Sequence, residues 1–197
     1  MIFYIKHRWW TALLTTVGVA LLTWLAGGWQ LVLVPTWPWF VQMSWGVGSA
    51  AGSIGVDGLL HESLKRLWKT GYVAAFNRHG EAVLGNMRWP EYLTGGLMAA
   101  VAEEPLFRGL MLPWVWSMTG QPWLAVVITG LVFAGCHWMR LSFFPFWIWA
   151  LGEGLLFGAL YVWFDSLIIP MIAHGLHDVI GFVVLNQLVK RDKWPSN

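Results

Sequence analysis

Long apolar runs follow one another through the whole chain and are separated only by short polar segments. A helix needs about 20 mainly apolar residues to cross the hydrocarbon core of a bilayer, so a chain of this length holds about six such helices and little else. Hydrophobic residues make up 57% of the chain and charged residues 11%, against roughly 45–50% and 25% in soluble domains. The sequence therefore predicts an all-α, polytopic transmembrane helix bundle and excludes an ordinary soluble domain.

The positions of the apolar runs predict six spans and a simple division of the chain. The spans are Thr11 to Val34, Trp39 to Leu60, Tyr92 to Trp116, Pro122 to Met139, Phe143 to Phe164 and Leu167 to Val189. Residues 1–60 then hold two N-terminal helices, 61–90 a basic cytoplasmic or interfacial loop, 91–190 a four-helix core and 191–197 a cytoplasmic tail. The first run is longer than the apolar part of a secretory signal, so we expect it to be retained.

The basic residues set the orientation of this map. All but Arg108 fall in segments that an even number of helices places on one side: Lys6, Arg8, Lys65, Arg66, Lys69, Arg78, Arg88, Arg140, Lys190, Arg191 and Lys193. Cytoplasmic loops are rich in lysine and arginine, so both termini are expected in the cytoplasm. The short chain and compact loops favour a prokaryotic inner-membrane protein.

The loop 61–90 has two possible structures. Leu64, Leu67, Trp68 and Tyr72 recur at helical spacing with basic residues on the other face, which predicts a short amphipathic helix at the membrane interface. The alternative is a solvated basic loop that only fixes topology. His61 and His79 lie in this segment, and we expect both to be exposed to water.

Three ionisable residues stand close together in the third span, Glu103, Glu104 and Arg108. A charged group at the centre of a span costs about 2.5 to 3.5 kcal/mol on insertion scales, so these groups must face one another or a wet cavity. Glu104 and Arg108 are four apart and can pair, whereas Glu103 points about 100° away and stays free for chemistry. Pro105 removes a backbone donor and predicts a kink here.

Further ionisable residues lie in other spans. His137 ends the fourth span, and the sixth carries His174 and Asp178 four apart, with His177 offset from them. A glutamate and a histidine can activate water while a second histidine donates to an oxyanion. Such groups also serve as hydrogen-bonding contacts between helices, but packing does not require so many. Asp57 and Glu153 have no partner at an evident spacing and are taken as structural or as lying at misplaced helix ends.

The polar residues of the third, fourth and sixth spans together resemble the motifs of the CAAX protease and bacteriocin-processing (CPBP) family. This is a family of intramembrane proteases related to the Ras-converting CAAX endopeptidase. The family motif EExxxR is similar to Glu103, Glu104 and Arg108, and FxxxH to Phe133 and His137. The third motif, HxxxN or HxxxD, is similar to His174 and Asp178. The resemblance covers roughly Ala99 to Gly181, and the first 90 residues carry no motif that matches.

The resemblance implies an intramembrane endopeptidase acting on a membrane-associated protein or peptide precursor. It implies that Glu103 and His137 activate the attacking water and that His174 and Asp178 stabilise the oxyanion. Glu104 and Arg108 would orient the site. No cofactor is firmly implied: a divalent metal such as zinc would use Glu103, His137 and His174, and we favour the metal-free alternative. A simple depth estimate puts His137 nearer the cytoplasm than Glu103, so the fourth helix either continues past Arg140 or tilts.

Two other functions remain as alternatives. Some members of the family are associated with bacteriocin immunity, which would make this a non-catalytic membrane binding protein. A proton-coupled transporter also uses intramembrane Glu, His and Asp, but the sequence shows no inverted repeat. A net charge of only +2, spread along membrane borders, indicates no nucleic-acid partner; the expected partners are the bilayer and the substrate.

Overall fold

The computed structural model describes residues 9–33, 36–84, 87–137 and 144–191, and every regular element in these ranges is helical. The predicted all-α class is confirmed. The elements are α1 (Trp9–Leu25), α2 (Gln30–Leu33), α3 (Trp39–Leu67), α4 (Lys69–Leu84), α5 (Trp89–Met98), two π-helical segments (Ala99–Glu103 and Pro105–Met111), α6 (Leu112–Thr119), α7 (Pro122–Cys136), α8 (Phe144–Phe164) and α9 (Ile168–Arg191). Lys6, Arg8, Arg140, Lys193 and most of the predicted tail lie outside the described residues.

The first predicted span is the one whose structure differs most from the prediction. Its helix ends at Leu25, and a turn precedes the short α2. Gly27 has a positive φ of 85°, which only glycine adopts readily, and Trp29 donates its indole N–H to Thr23 Oγ1 over 2.9 Å. The long apolar run is therefore broken by its glycine pair, and Val34 lies outside the described residues.

The predicted loop 61–90 is largely helical, and His61 is not solvated as expected. The structure divides the predicted amphipathic helix, because α3 continues to Leu67 and α4 starts at Lys69. His61 is buried, and its Nδ1 lies 3.0 Å from the hydroxyl of the buried Tyr72. The two helices pack through this contact and through the ring of Phe76. The side chain of His79 lies outside the described part.

Helix α9 is the centre of the bundle. It packs against α3, α4, α5, α8 and the first π-helical segment. The approach to α5 is close at Gly96, where an added Cβ would lie 2.5 Å from the carbonyl oxygen of Gly175. Small residues that let backbones approach in this way are typical of helix contacts in membranes.

The surface exposes many large apolar side chains, and the interior holds a charged pair beside its apolar core. Large apolar side chains such as Leu14, Trp39, Leu59 and Trp163 are exposed, while Glu104 and Arg108 are fully buried. Two helices in the described ranges, Phe146–Phe164 and Ile168–Lys190, are long and apolar enough to cross a membrane. Two shorter apolar helices, Leu13–Leu25 and Pro122–Cys136, coincide with other predicted spans.

The third predicted span is continuous but changes its hydrogen bonding around Glu104. The backbone N–H of Glu104 donates to the carbonyl of Ala99, and that of Leu112 donates to the carbonyl of Phe107. These five-residue steps define π-helix, which occurs in single turns and frequently at functional sites. Pro105 has no N–H and cannot continue regular α-helix bonding. The helix is thus widened on both sides of Glu104, and the kink at Pro105 stays a prediction.

Candidate active site

Glu104 is the buried centre of a three-residue contact. Its Oε1 accepts from Nη1 of Arg108 over 2.7 Å and from Nδ1 of His174 over 2.6 Å. All three side chains are at most 2% exposed. Charge-assisted bonds of this kind are short and about twice as strong as neutral ones. The contact therefore fixes the ring of His174, on α9, relative to the widened helix.

Arg108 is enclosed by backbone and aromatic rings. Its Nη2 donates to the carbonyl of Gly154 on α8 over 3.0 Å, and its guanidinium carbon lies 4.8 Å from the ring centroid of Phe133 and 5.7 Å from that of Phe157. The α7–α8 contact is narrow here, since a Cβ on Gly154 would lie 3.0 Å from Cα of Gly130. The close approach of the two helices positions the carbonyl that Arg108 binds.

Glu103 and His137 form the more open part of the site. Oε2 of Glu103 lies 4.0 Å from Nε2 of His137, and the side chains are 20% and 27% exposed. His137 is the residue that ends α7, and its Nδ1–H donates to the carbonyl of Phe133 over 2.8 Å. A carbonyl oxygen only accepts, so in the neutral ring Nε2 carries the lone pair. That lone pair faces Glu103.

The ring of Phe133 joins the two parts. Phe133 is buried, and its centroid lies 4.5 Å from the ring of His137 and 5.6 Å from that of His174. Phe157 stacks on the other side of His174 at 4.6 Å. The two predicted histidines, from α7 and α9, are therefore both in contact with one aromatic side chain.

Asp178 lies between two histidines. Its Oδ1 is 3.7 Å from Nε2 of His174 and 3.4 Å from Nδ1 of His177. The distance to His174 is too long for a direct hydrogen bond. All six residues predicted for the site, Glu103, Glu104, Arg108, His137, His174 and Asp178, thus lie in one connected cluster.

Asp57 and Glu153, for which the sequence spacing indicates no partner, both contact His177. Nε2 of His177 lies 2.7 Å from Oδ2 of Asp57 on α3 and 3.2 Å from Oε1 of Glu153 on α8. Spacing within one helix cannot reveal such a contact, because the three residues come from three helices. The available signal was that two acids and an extra histidine in predicted spans each needed a partner.

Two sets of three side chains among the described residues bring ligand atoms within 4.8 Å of one another, as a metal site requires: Asp57, Glu153 and His177, and Glu153, His174 and Asp178. Neither is the predicted set of Glu103, His137 and His174. In the second set, His174 already uses Nδ1 for Glu104, an arrangement also common in histidines that ligate metals through the other nitrogen. Metal binding therefore stays a prediction.

Comparison with known proteins identifies the segment that carries these residues. Residues 85–180 match the family described as Type II CAAX prenyl endopeptidase Rce1-like. Asp57 is the one member of the cluster that lies outside this segment.

Two curated proteins of Bacillus subtilis (strain 168) are similar to the chain. The sporulation-killing factor biosynthesis protein SkfC is 25% identical over 166 residues, which cover 79% of this chain and 31% of SkfC. The uncharacterized protein YpbD is 33% identical over 98 residues, which cover 49% of this chain and 47% of YpbD. The chain thus spans less than half the length of either relative. No solved structure gives a significant match.

The family match and the motif residues agree with each other. The segment 85–180 includes all seven residues on which the resemblance was based. Residues 85–180 therefore form a domain of the Rce1-like type II CAAX prenyl endopeptidase (CPBP) family.

Proposed function

We propose that this protein is an intramembrane endopeptidase that hydrolyses a peptide bond in a membrane-associated protein or peptide precursor. The observation that carries the proposal is the contact between Glu103 and His137, 4.0 Å apart and partly exposed, beside a buried Glu104–Arg108 pair that is not available for reaction. Two carboxylates adjacent in sequence thus have different environments and different roles.

The separation of Glu103 and His137 suits a water molecule that both residues activate. A water about 2.8 Å from each of the two atoms would have an angle of roughly 90° at its oxygen. It would donate one hydrogen to Glu103 and the other to Nε2 of His137, leaving its lone pairs free to attack a carbonyl carbon. Glu103 takes a proton in the attack and returns it to the leaving amine.

His174 and Asp178 would stabilise the oxyanion that forms in this attack. Nδ1 of His174 is held by Glu104, so Nε2 is the nitrogen that can donate. The protonated ring, next to the negative Glu104, donates through Nε2–H to the developing charge. Asp178, 3.7 Å from that nitrogen, acts through His174, because its carboxylate faces the ring that carries this hydrogen. Arg108 balances the charge of Glu104.

The membrane placement that supports this function has six spans and both termini in the cytoplasm. The exposed apolar surface favours it. Two helices meet the length and composition of a span, and α1, α3, α7 and the helix from Trp89 to Thr119 supply the other four. SkfC is named for biosynthesis of a sporulation-killing factor, which favours a peptide precursor as substrate.

The test is cleavage of candidate precursor proteins in two assays. In the first the precursor is co-expressed with the protein, and in the second it is incubated with the purified protein in nanodiscs. The wild type is compared with Glu103→Gln, Glu103→Ala and His137→Gln, and with Asp165→Asn as the control. Asp165 is exposed, so the control removes a carboxylate without touching the cluster. We expect cleavage by the wild type and by Asp165→Asn only.

Two results would change the proposal. Cleavage by Glu103→Gln at the wild-type rate rules out Glu103 as the base. If no candidate is cleaved, while the Glu103 variants lose protection of cells against a bacteriocin, the immunity function is favoured instead. A parallel reaction with a chelator tests the metal: loss of cleavage that added zinc restores makes the protein a metalloprotease.

A further inference from the structure

We propose that Asp57, Glu153 and His177 are positioning residues that hold Asp178 in place against His174. The inference rests on the proposed function, because His174 and Asp178 are the groups assigned to the oxyanion. It adds α3, which lies outside the segment matched by the family, to the parts of the chain that determine activity.

The first step is the fixing of the His177 ring. Its Nε2 faces Oδ2 of Asp57 at 2.7 Å and Oε1 of Glu153 at 3.2 Å, so acids from α3 and α8 meet at one nitrogen of α9. His177 is only 8% exposed, and Phe157 lies edge-on to it at 6.5 Å. An N–H group with two acceptors restricts the orientation of the ring more than an N–H group with one acceptor.

The second step is the transfer of that orientation to Asp178. The opposite nitrogen of the ring, Nδ1, lies 3.4 Å from Oδ1 of Asp178. Because both ring nitrogens face carboxylate oxygens, which only accept, the doubly protonated ring satisfies all of these contacts. A shift of Asp57 or Glu153 would rotate the His177 ring. That rotation would in turn move the contact between Nδ1 and Asp178.

The third step is the shared oxygen. Oδ1 of Asp178 faces Nδ1 of His177 and also Nε2 of His174, at 3.4 Å and 3.7 Å. Holding that oxygen at His177 keeps it close to Nε2 of His174 without a tight bond. Nε2–H of His174 thus has no tight partner in Asp178 and stays available to donate to a reacting oxygen.

Helix contact alone does not account for this arrangement. One hydrogen-bonded polar pair contributes little to packing in a membrane, and α3 and α8 also contact α9 through other residues. Two extra acids in spans cost several times that amount on insertion scales. Their convergence on one residue beside Asp178 is explained by a role in orienting the site.

The direct test does not depend on activity. Protein labelled only with 15N-histidine is reconstituted in liposomes, and the imidazole resonances are recorded by magic-angle-spinning NMR. The chain has six histidines, and His174→Gln and His177→Gln assign the two of interest. We expect Asp57→Asn to shift the ring resonances of both His177 and His174, and Asp165→Asn to shift neither.

The kinetic test compares Asp57→Asn, Asp57→Glu and Asp165→Asn on a precursor that the wild type cleaves. Asp57→Asn should lower kcat about tenfold, as expected for misplacement of a reacting group, and leave KM within about twofold. Asp57→Glu should recover most of kcat. On an Asp178→Asn background, Asp57→Asn should have no further effect, because residues that act as one unit are not additive.

The outcomes separate this inference from the proposed function. A shift of the His177 resonances alone would overturn the positioning role. An equal loss of kcat from Asp57→Asn in the wild-type and the Asp178→Asn background would also overturn it. Shifts of both histidines in a protein that cleaves no precursor support the connection and overturn the proposed function instead.

Discussion

His174 donates Nδ1–H to the buried Oε1 of Glu104 over 2.6 Å. The two residues are 70 positions apart, and no other contact joins the first and third motifs as directly among the described residues. The same oxygen also accepts from Arg108. The contact explains why two acidic residues in succession are useful here: one is fully buried and holds the histidine, and the next one along faces the open part of the site.

Replacing Glu104 by glutamine should destabilise the protein strongly. The change leaves the buried guanidinium of Arg108 without its counter-charge, and breaking a buried ion pair from one side costs about 3–5 kcal/mol. Unfolding in mixed detergent–SDS micelles measures the loss, with Asp165→Asn as the control. The double change Glu104→Gln, Arg108→Met removes the uncompensated charge and should recover much of the loss. A single variant as stable as the wild type would contradict the importance of the pair.

Phe133→Leu should reduce catalysis more than stability. The substitution keeps an apolar side chain in the core, so we expect a loss of about 1.5 kcal/mol. Both histidines lose the ring they contact, and kcat should fall about tenfold.

The matched control for Phe133→Leu is Phe182→Leu. The ring of Phe182 stacks on Tyr92 about two turns beyond His174. Here we expect a similar stability loss and an unchanged kcat. Equal kcat values in the two variants would show that Phe133 acts only through packing.

Gly154→Ala should weaken the α7–α8 contact, whereas Gly152→Ala should not. A Cβ at Gly154 would lie 3.0 Å from Cα of Gly130 and 3.2 Å from Cδ1 of Phe133, but one at Gly152 would meet nothing within 4 Å. Overpacking costs about 1–3 kcal/mol, while alanine is better than glycine in a helix by up to about 1 kcal/mol. The two variants should therefore change the free energy of unfolding in opposite directions. If Gly154→Ala raises the free energy of unfolding as Gly152→Ala does, the helices separate easily enough to accept the added methyl group.

Cys136 offers a test of the proposed membrane topology. It is the single cysteine of the chain and is exposed at the end of α7, next to His137. In the proposed orientation this end of α7 faces the cytoplasm, so an impermeant maleimide should label inside-out membrane vesicles and spare right-side-out ones. A Cys136→Ser variant shows the background. Labelling only of right-side-out vesicles would show that this end of α7 faces away from the cytoplasm and that the proposed orientation is wrong.

Much of the architecture is readable from the apolar runs. The predicted ends of the last two spans, Phe143 to Phe164 and Leu167 to Val189, lie close to those of α8 and α9. The pairing of Glu104 with Arg108 also follows from their spacing. In both cases the information is local, because length and a four-residue step decide the result.

Contacts between helices were harder to predict. Depth along a straight helix put His137 apart from Glu103, yet α7 ends at Cys136 and the two side chains meet at 4.0 Å. Glu103 belongs to the widened helix around Glu104, and hydropathy does not reveal that widening. The partners of Asp57 and Glu153 were missed for a similar reason, since packing angles decide which faces meet.

The central place of α9 has a consequence for biosynthesis. This helix follows every other described element in the chain, so the ribosome makes it after them. Until α9 enters the membrane, Asp57 of α3 and Glu153 of α8 lack their contact with His177. Glu104 likewise lacks its contact with His174. A nascent chain that stalls before α9 therefore carries the acids of α3 and α8 without the histidine that they contact, a state that quality control can recognise.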